Sequence, residues 1–222
     1  LAMHYLNFYK MKHTIKIPLF LAAILFSTLS SWSYSEESFI PKPPSLNASN
    51  YILIDSVSGR VLAEKEADVR IEPASITKIM TGYVAADQIS KGFISLDDEV
   101  LISENCWRKG GSKMFIREGT RVLLSDLMKG MVIQSGNDAS CAIAEHVAIS
   151  EEGFVELMQL YVEELGMENT QFINVSGWPD PKHFSSARDL ALLTKNLIDR
   201  FPDHYALYNE KYFTYNEIRQ RN

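Results

Sequence analysis

The chain has 222 residues, of which 46% are hydrophobic, with ten tyrosines and eleven phenylalanines. That supplies a real core for one domain, or for part of a larger one, and excludes intrinsic disorder. The net charge is −6, and residues beyond 35 carry 19 basic against 28 acidic side chains with no basic patch, which excludes nucleic acid as a partner.

The start reads as an export signal. Met11 to Lys16 is a short basic segment, and Ile17 to Leu29 is an apolar run too short for a comfortable membrane span. Ser33 and Ser35 are small residues suited to cleavage before Glu36, so residues 1–35 are expected to be a signal peptide with its start at Met11. The alternative is an uncleaved N-terminal anchor. Residues 36–49 follow as an exposed lead-in marked by Pro41, Pro43 and Pro44.

Tyr51 to Asp55, a turn at Ser56 to Gly59, and Arg60 to Glu64 form a β-hairpin pattern. Two strands alone are not stable, so more sheet has to come from elsewhere. The next stretch, Pro73-Ala74-Ser75-Ile76-Thr77-Lys78-Ile79-Met80-Thr81, opens a helix. Pro73 suits chain entry, with Ser75 near the N-cap. Ile76, Ile79, Met80, Tyr83 and Val84 recur at helical spacing, so this helix is expected to be buried until Lys91-Gly92 closes it.

Ser75 and Lys78 are three apart and share a helix face. A serine is a poor nucleophile unless a base stands beside it. Lysine can be that base if burial, a second cation or the positive helix end lowers its pKa. The pair alone is weak evidence, because about one Ser-x-x-Lys is expected by chance in a chain of this length.

Leu96 to Ser103 reads as a short extended piece, and Cys106 to Met114 as a loop holding Gly110-Gly111-Ser112. Ser125 is expected to cap a helix through Leu127, Met128 and Met131 that ends at Gln134-Ser135-Gly136-Asn137. Another helix runs from Asp138 through His146, with Asp138 as its cap. Phe154 to Leu165 is amphipathic and ends at Gly166. Asn169 to Phe184 is loop-rich. Ser186-Ala187-Arg188-Asp189 reads as a capping box, which gives Asp189 a structural role in a helix that Pro202 stops. Tyr212 to Tyr215 begins a strand.

The two cysteines, Cys106 and Cys141, make no disulfide framework, and Cys141 reads as a core filler. The five histidines are scattered, no metal-ligand spacing appears, and His146 reads as a helix residue rather than a ligand. Ser112 and Lys113 read as a solvated loop.

Taken together, Ser75-x-x-Lys78, Gly110-Gly111-Ser112-Lys113-Met114-Phe115 and Gln134-Ser135-Gly136-Asn137-Asp138-Ala139 agree in order and context. In that combination the stretch from Asn50 to Asn222 resembles the D-alanyl-D-alanine carboxypeptidases, the low-molecular-mass penicillin-binding proteins. Ser185 to Asp189 and Phe213 to Asn216 also look like segments of that family. The resemblance implies an α/β (α+β) fold of the penicillin-binding-protein and β-lactamase kind, an antiparallel sheet packed with a helical subdomain. It implies that Ser75 attacks the carbonyl between the terminal D-alanines of a peptidoglycan stem peptide. Lys78 takes the proton, Ser135 relays one to the leaving amine, and Asn137 holds the substrate amide. Backbone N–H groups, one from Ser75, meet the oxyanion. β-Lactam antibiotics acylate the same serine. No cofactor is implied, and the compartment is the periplasm.

The family's third motif, Lys-Thr-Gly, does not occur after Asn137. The resemblance therefore identifies residues 50–222 as the N-terminal part of a catalytic domain. By family pattern the motif, the remaining strands, a β-rich domain and an amphipathic membrane-anchoring tail follow Asn222. The chain by itself is expected to have weak or no activity and a partly exposed core. A serine β-lactamase shares Ser75 and Lys78 but usually carries aspartate where this chain has Gly136. It also wants a Glu-x-x-Leu-Asn loop, which Glu163, Glu164 and Glu168 do not provide. A non-catalytic relative that binds wall peptide is the other alternative.

Overall fold

The computed structural model describes residues 45–222. The export signal, its cleavage point and most of the lead-in lie outside the described residues. The expected hairpin is present as β1 (Tyr51–Ile54) and β2 (Val61–Lys65), antiparallel, with an irregularity between Leu53 and Ile54. Asp55 closes its turn by accepting from the Ser58 N–H at 2.7 Å. A second ladder pairs β3 (Glu99–Leu101) with β4 (Arg121–Leu123), a strand with no clear pattern of its own. A third pairs β5 (Tyr212–Tyr215) with β6 (Ile218–Arg221). The described strands thus form three two-stranded antiparallel ladders.

Seven α-helices among the described residues supply most of the core. They are α1 (Lys78–Ser90), α2 (Glu104–Arg108), α3 (Leu124–Gln134), α4 (Asn137–Ala148), α5 (Glu151–Leu165), α6 (Ala187–Arg200) and α7 (Pro202–Ala206). Helix α1 is central. Met80, Thr81, Gly82, Tyr83, Val84, Ala85 and Ala86 are all buried, so it is covered on every side, as a helix apolar all round has to be. One face of α1 packs with α5 and α6 through Tyr83, Phe154, Met158 and Leu193. Ala85 on another joins Leu127, Met131 and Ile143 of α3 and α4, with the β3–β4 ladder and Phe213.

The polar residues of α1 are satisfied one by one. Asp87, 1% exposed, pairs with Lys91 at 2.6 Å and Arg200 at 3.1 Å and accepts from the Tyr161 hydroxyl. Removing one partner from such a group leaves an uncompensated buried charge. This network fixes the C-terminal half of α1 to α5 and α6.

Several details differ from expectation. Cys141 is buried but is no lone filler. It forms a disulfide with Cys106, joining α2 to α4 across 35 positions of sequence. Two cysteines that far apart announce no pairing until the fold brings their Cα atoms to 5.2 Å. The bond contributes about 3–4 kcal/mol on a chain-entropy view, and it leaves neither sulfur free as a thiolate ligand. Ser125 does not cap α3, because Leu123 stands at that position. The helix-start donors Leu124 N and Ser125 N reach the carbonyls of Asp98 and Leu96 instead. Pro202 ends α6 but also starts α7 from its first turn, where its missing N–H costs nothing.

His204 of α7 is 8% exposed, and its Nε2 has no partner. It rests on Gly82, where an added Cβ would stand 2.4 Å from that nitrogen. Burial pushes its pKa down from 6.5 to about 4. The unfolded chain takes up this proton near pH 6.5 and the folded chain only near pH 4, so stability is full above 6.5 and is lost as pH falls between the two. The expected loss is about 3 kcal/mol at pH 4. Urea unfolding of the wild type and of His204→Gln at pH 7 and pH 4.5 checks this. The variant should lose less stability on acidification; equal losses would show that His204 does not titrate this way.

Candidate active site

The chain enters α1 through a 3-10 turn, Ala74–Thr77, rather than through a serine-capped α-helix. Residues three apart eclipse in a 3-10 turn. Ser75 therefore lies directly over Lys78, the first residue of α1, and Lys78 Nζ is 3.2 Å from Ser75 Oγ. Ser75 is exposed, whereas Lys78 is 5% exposed. Lys78 Nζ also donates to the Ser176 carbonyl at 2.9 Å. Burial lowers its pKa from 10.5 to about 8. Of the three causes considered from sequence, desolvation is the one that operates among the described residues.

The turn is strained. Ala74 has φ +46°, in the left-handed region, which costs a non-glycine residue about 1–2 kcal/mol. The segment 173–183 holds it there. At Gly177, φ +80°, an added Cβ would come within 1.7 Å of the Ala74 carbonyl oxygen. Asn174 Oδ1 folds this segment by accepting from the N–H groups of Ser176, Gly177 and Trp178 at 3.2, 2.8 and 2.9 Å. His183 Nδ1 accepts from Ile173 N at 3.0 Å, so its proton sits on Nε2, which donates to Thr77 Oγ1 at 2.8 Å. Burial lowers the His183 pKa and favours this neutral form. One turn on, Thr81 Oγ1 donates to Val175 O at 2.7 Å. Thr77, Lys78 and Thr81 thus fasten the start of α1 to one loop. Sequence reasoning left that loop without a role. The available signals were two threonines flanking the lysine at i and i+4, and an Asn-x-x-Gly turn.

Ser135 ends α3 in the left-handed conformation, φ +54°, where its side chain leaves the helix axis. It lines a cavity of about 70 Å³ together with Ser75, Lys78, Met131 and Tyr208. Three of the four expected site residues are therefore brought together. Tyr208 is an addition, and burial holds its phenol above the ordinary tyrosine range. Gly136 has little room for a side chain, since a Cβ there would stand 3.0 Å from Asp138 Oδ1 and 3.2 Å from Gly130 O and Met114 N. Asn137, 9% exposed, donates through Nδ2 to Gly110 O at 2.8 Å and through its backbone to Ser112 O at 2.7 Å. Its side chain lines a neighbouring, larger cavity rather than the small one.

Asp138 is not the helix cap: Gly136 stands at that position, and Asp138 is the second residue of α4. It is fully buried and accepts from the N–H groups of Met114, Phe115 and Ile116 at 3.0, 2.9 and 3.3 Å. It ties the 110–116 loop to the start of α4. Ser112 serves through its carbonyl, and Lys113 reaches Trp107 O at 2.8 Å from an outward position. Ser186 caps α6 as expected, at 3.1 Å from Asp189 N. The Asp189 carboxylate does not complete the box. It accepts from Asn169 N and Thr170 Oγ1 at 2.8 and 2.7 Å instead.

Gly177→Ala is expected to cost at least about 2 kcal/mol, from the clash with Ala74 and the positive φ. The Lys78–Ser176 contact should be lost with it. Urea unfolding with a chemical-shift map of residues 73–81 measures both. A variant of wild-type stability with unshifted resonances would contradict this role.

A family model described as D-alanyl-D-alanine carboxypeptidase matches residues 37–222. The chain is 47% identical over 185 residues to the D-alanyl-D-alanine carboxypeptidase DacC of Escherichia coli (strain K12), covering 81% of this chain and 46% of the relative. It is 45% identical over 192 residues to DacA of the same organism, covering 84% and 48%. The chain spans about half the length of these curated relatives. Among solved structures, penicillin binding protein 5 from Haemophilus influenzae superposes with a TM-score of 0.80 at 42% identity, over 81% of this chain and 53% of that one. The ladders and helices described above are thus part of the penicillin-binding-protein fold. With a match that takes in both serine motifs, the chain belongs to the serine-type D-alanyl-D-alanine carboxypeptidase family.

Proposed function

We propose that Ser75 is the nucleophile of a D-Ala-D-Ala carboxypeptidase acting on peptidoglycan stem peptides. The observation that carries this is the buried Lys78 amine, 3.2 Å from Ser75 Oγ and with its pKa lowered to about 8. Near pH 7.4 such an amine is neutral in about one molecule in five, against about one in a thousand for an ordinary lysine. The neutral amine accepts the Ser75 proton as Oγ attacks the carbonyl between the two D-alanines. The proton reaches the leaving D-alanine amine through Ser135, which shares the small cavity. Water then cleaves the Ser75 ester. The backbone N–H of Ser75 is one oxyanion donor, and Asn137 holds the substrate amide. β-Lactams acylate Ser75 by the same attack. The protein is exported to the periplasm, a reading supported by the sequence of residues 11–35 alone. No helix among the described residues is long and apolar enough to cross a membrane.

A β-lactamase is less well supported. The crowding around Gly136 leaves little space for the aspartate side chain usual there. Glu163, Glu164 and Glu168 lie at the end of α5 and just beyond it, and line neither cavity beside the serines.

Intact-mass measurement after exposure to benzylpenicillin tests the nucleophile. In keeping with the weak activity expected of this chain, the wild type should gain one penicilloyl group slowly and Ser75→Ala none, while Lys78→Ala should react about 10²-fold more slowly still. Acylation of Ser75→Ala would move the nucleophile elsewhere. Binding of a D-Ala-D-Ala peptide with no acylation by penicillin would favour the non-catalytic relative.

A further inference from the structure

Lys78 and Gly82 stand four residues apart on α1 and share a face of it. A second segment runs along that face in the opposite direction. His204 of α7 rests on Gly82. Four residues after it, in a 3-10 turn at Leu207–Asn209, Tyr208 lines the small cavity with Ser75, Lys78 and Ser135. Four residues of an α-helix rise about 6 Å, and the His204 and Tyr208 rings stand nearly perpendicular with centroids 5.8 Å apart. The spacing along the two segments therefore agrees. Gly82 permits it: an added Cβ would meet His204 Nε2 at 2.4 Å, and a displaced His204 would carry Tyr208 away from Lys78.

Tyr208 stands on a boundary. Among the described residues it is the one that lines both the small cavity and an outer cavity of about 360 Å³, whose wall includes the charged Glu210, Lys211 and Arg221. Apart from the two serines, Lys78 and Tyr208, the wall of the small cavity is apolar, made by Ile79, Met131 and Val132. Lys78 and Tyr208 are its two titratable groups, and burial keeps the phenol in its neutral form, so Tyr208 adds no counter-charge to the amine. What the ring adds is exclusion of water. The polar groups of Ser75, Lys78 and Ser135 are partners that would hold water in the cavity if a way in were open, and a hydrated amine returns toward its ordinary pKa.

We propose that Tyr208 is a positioning residue for the acylation of Ser75: its ring is the partition between the Lys78 amine and the outer cavity, and His204, seated on Gly82, holds that ring in place. The proposal rests on the reading of Ser75 as the nucleophile and Lys78 as its base. Tyr208 makes and breaks no bond. It acts through Lys78, by keeping the neutral fraction of the amine high at neutral pH.

The test is the titration of Lys78 by ¹³C NMR, which needs no turnover, in the wild-type chain and in variants of Tyr208. Tyr208→Phe keeps the ring and should keep the midpoint near 8. Tyr208→Ala opens the partition and should raise the midpoint to about 9, which lowers the neutral fraction at pH 7.4 about tenfold. Benzylpenicillin acylation of the alanine variant should fall by the same factor at about pH 7.4 and return to within about twofold of the wild type at about pH 9.5. A merely structural loss would not be recovered at high pH. Tyr208→Gln, which fills the gap with a polar chain, takes the place of the alanine variant if that one does not fold, and should raise the midpoint in the same way. A midpoint that stays near 8 in a folded alanine or glutamine variant, or that rises equally in Tyr208→Phe, would overturn the partition and leave Lys78 as the base. A wild-type midpoint of 10.5 would overturn the reading of Lys78 itself, and the partition with it.

Discussion

An amine kept out of water beneath a serine hydroxyl is the constraint on which the site depends. The change in Lys78 from 10.5 to about 8 corresponds to a penalty on its charged form of about 3 kcal/mol. That penalty makes the amine a usable base at neutral pH, and it also has to be tolerated by the fold. Lys78 therefore keeps two hydrogen-bonding partners, Ser75 Oγ and the Ser176 carbonyl, that can satisfy the amine without adding a counter-charge. A carboxylate in either place would have raised the pKa and removed the base.

Both partners owe their positions to strain and to packing. The turn at Ala74 is left-handed, and Gly177 presses against its carbonyl. His183, Thr77, Thr81 and Asn174 are all used to hold one loop against the first turn of α1. Further along, the buried Asp87 network with Arg200, Lys91 and Tyr161 fixes the helix from its other end. Helix α1 is thus anchored at both ends and packed on all sides, which suits a group that has to be placed within tenths of an ångström. The second serine is brought in from a different layer by α3, while Asp138 and the Cys106–Cys141 disulfide secure the 110–116 loop and α2 to α4.

Much of this was legible in the sequence, and the limit is physical. Ser75 and Lys78 are three residues apart, so helical geometry alone puts them together. The hairpin, the buried helix and the Gly166 terminus likewise follow from local periodicity. What was not legible depends on contacts between distant segments. Thr77 and His183 are 106 positions apart, and Lys78 and Ser176 are 98 apart. The pairing of Cys106 with Cys141 and the three loop donors on Asp138 belong to the same class. Local rules read Asp138 as a cap and Cys141 as filler because each does occupy a helix, and nothing nearby in sequence reveals its distant partner. The strand β4 was missed because three residues carry too little alternation to be recognised.

The measurement that bears most directly on the central claim is the titration of Lys78 itself. In protein labelled with ¹³C-lysine, the Cε resonance of Lys78, assigned by its loss in Lys78→Arg, is followed from about pH 6 to about pH 11. A midpoint near 8 is the expected result, because burial is the dominant influence on this amine. A midpoint at the ordinary lysine value of 10.5 would mean that the amine is solvated or countered by charge, and that it is not the base for Ser75.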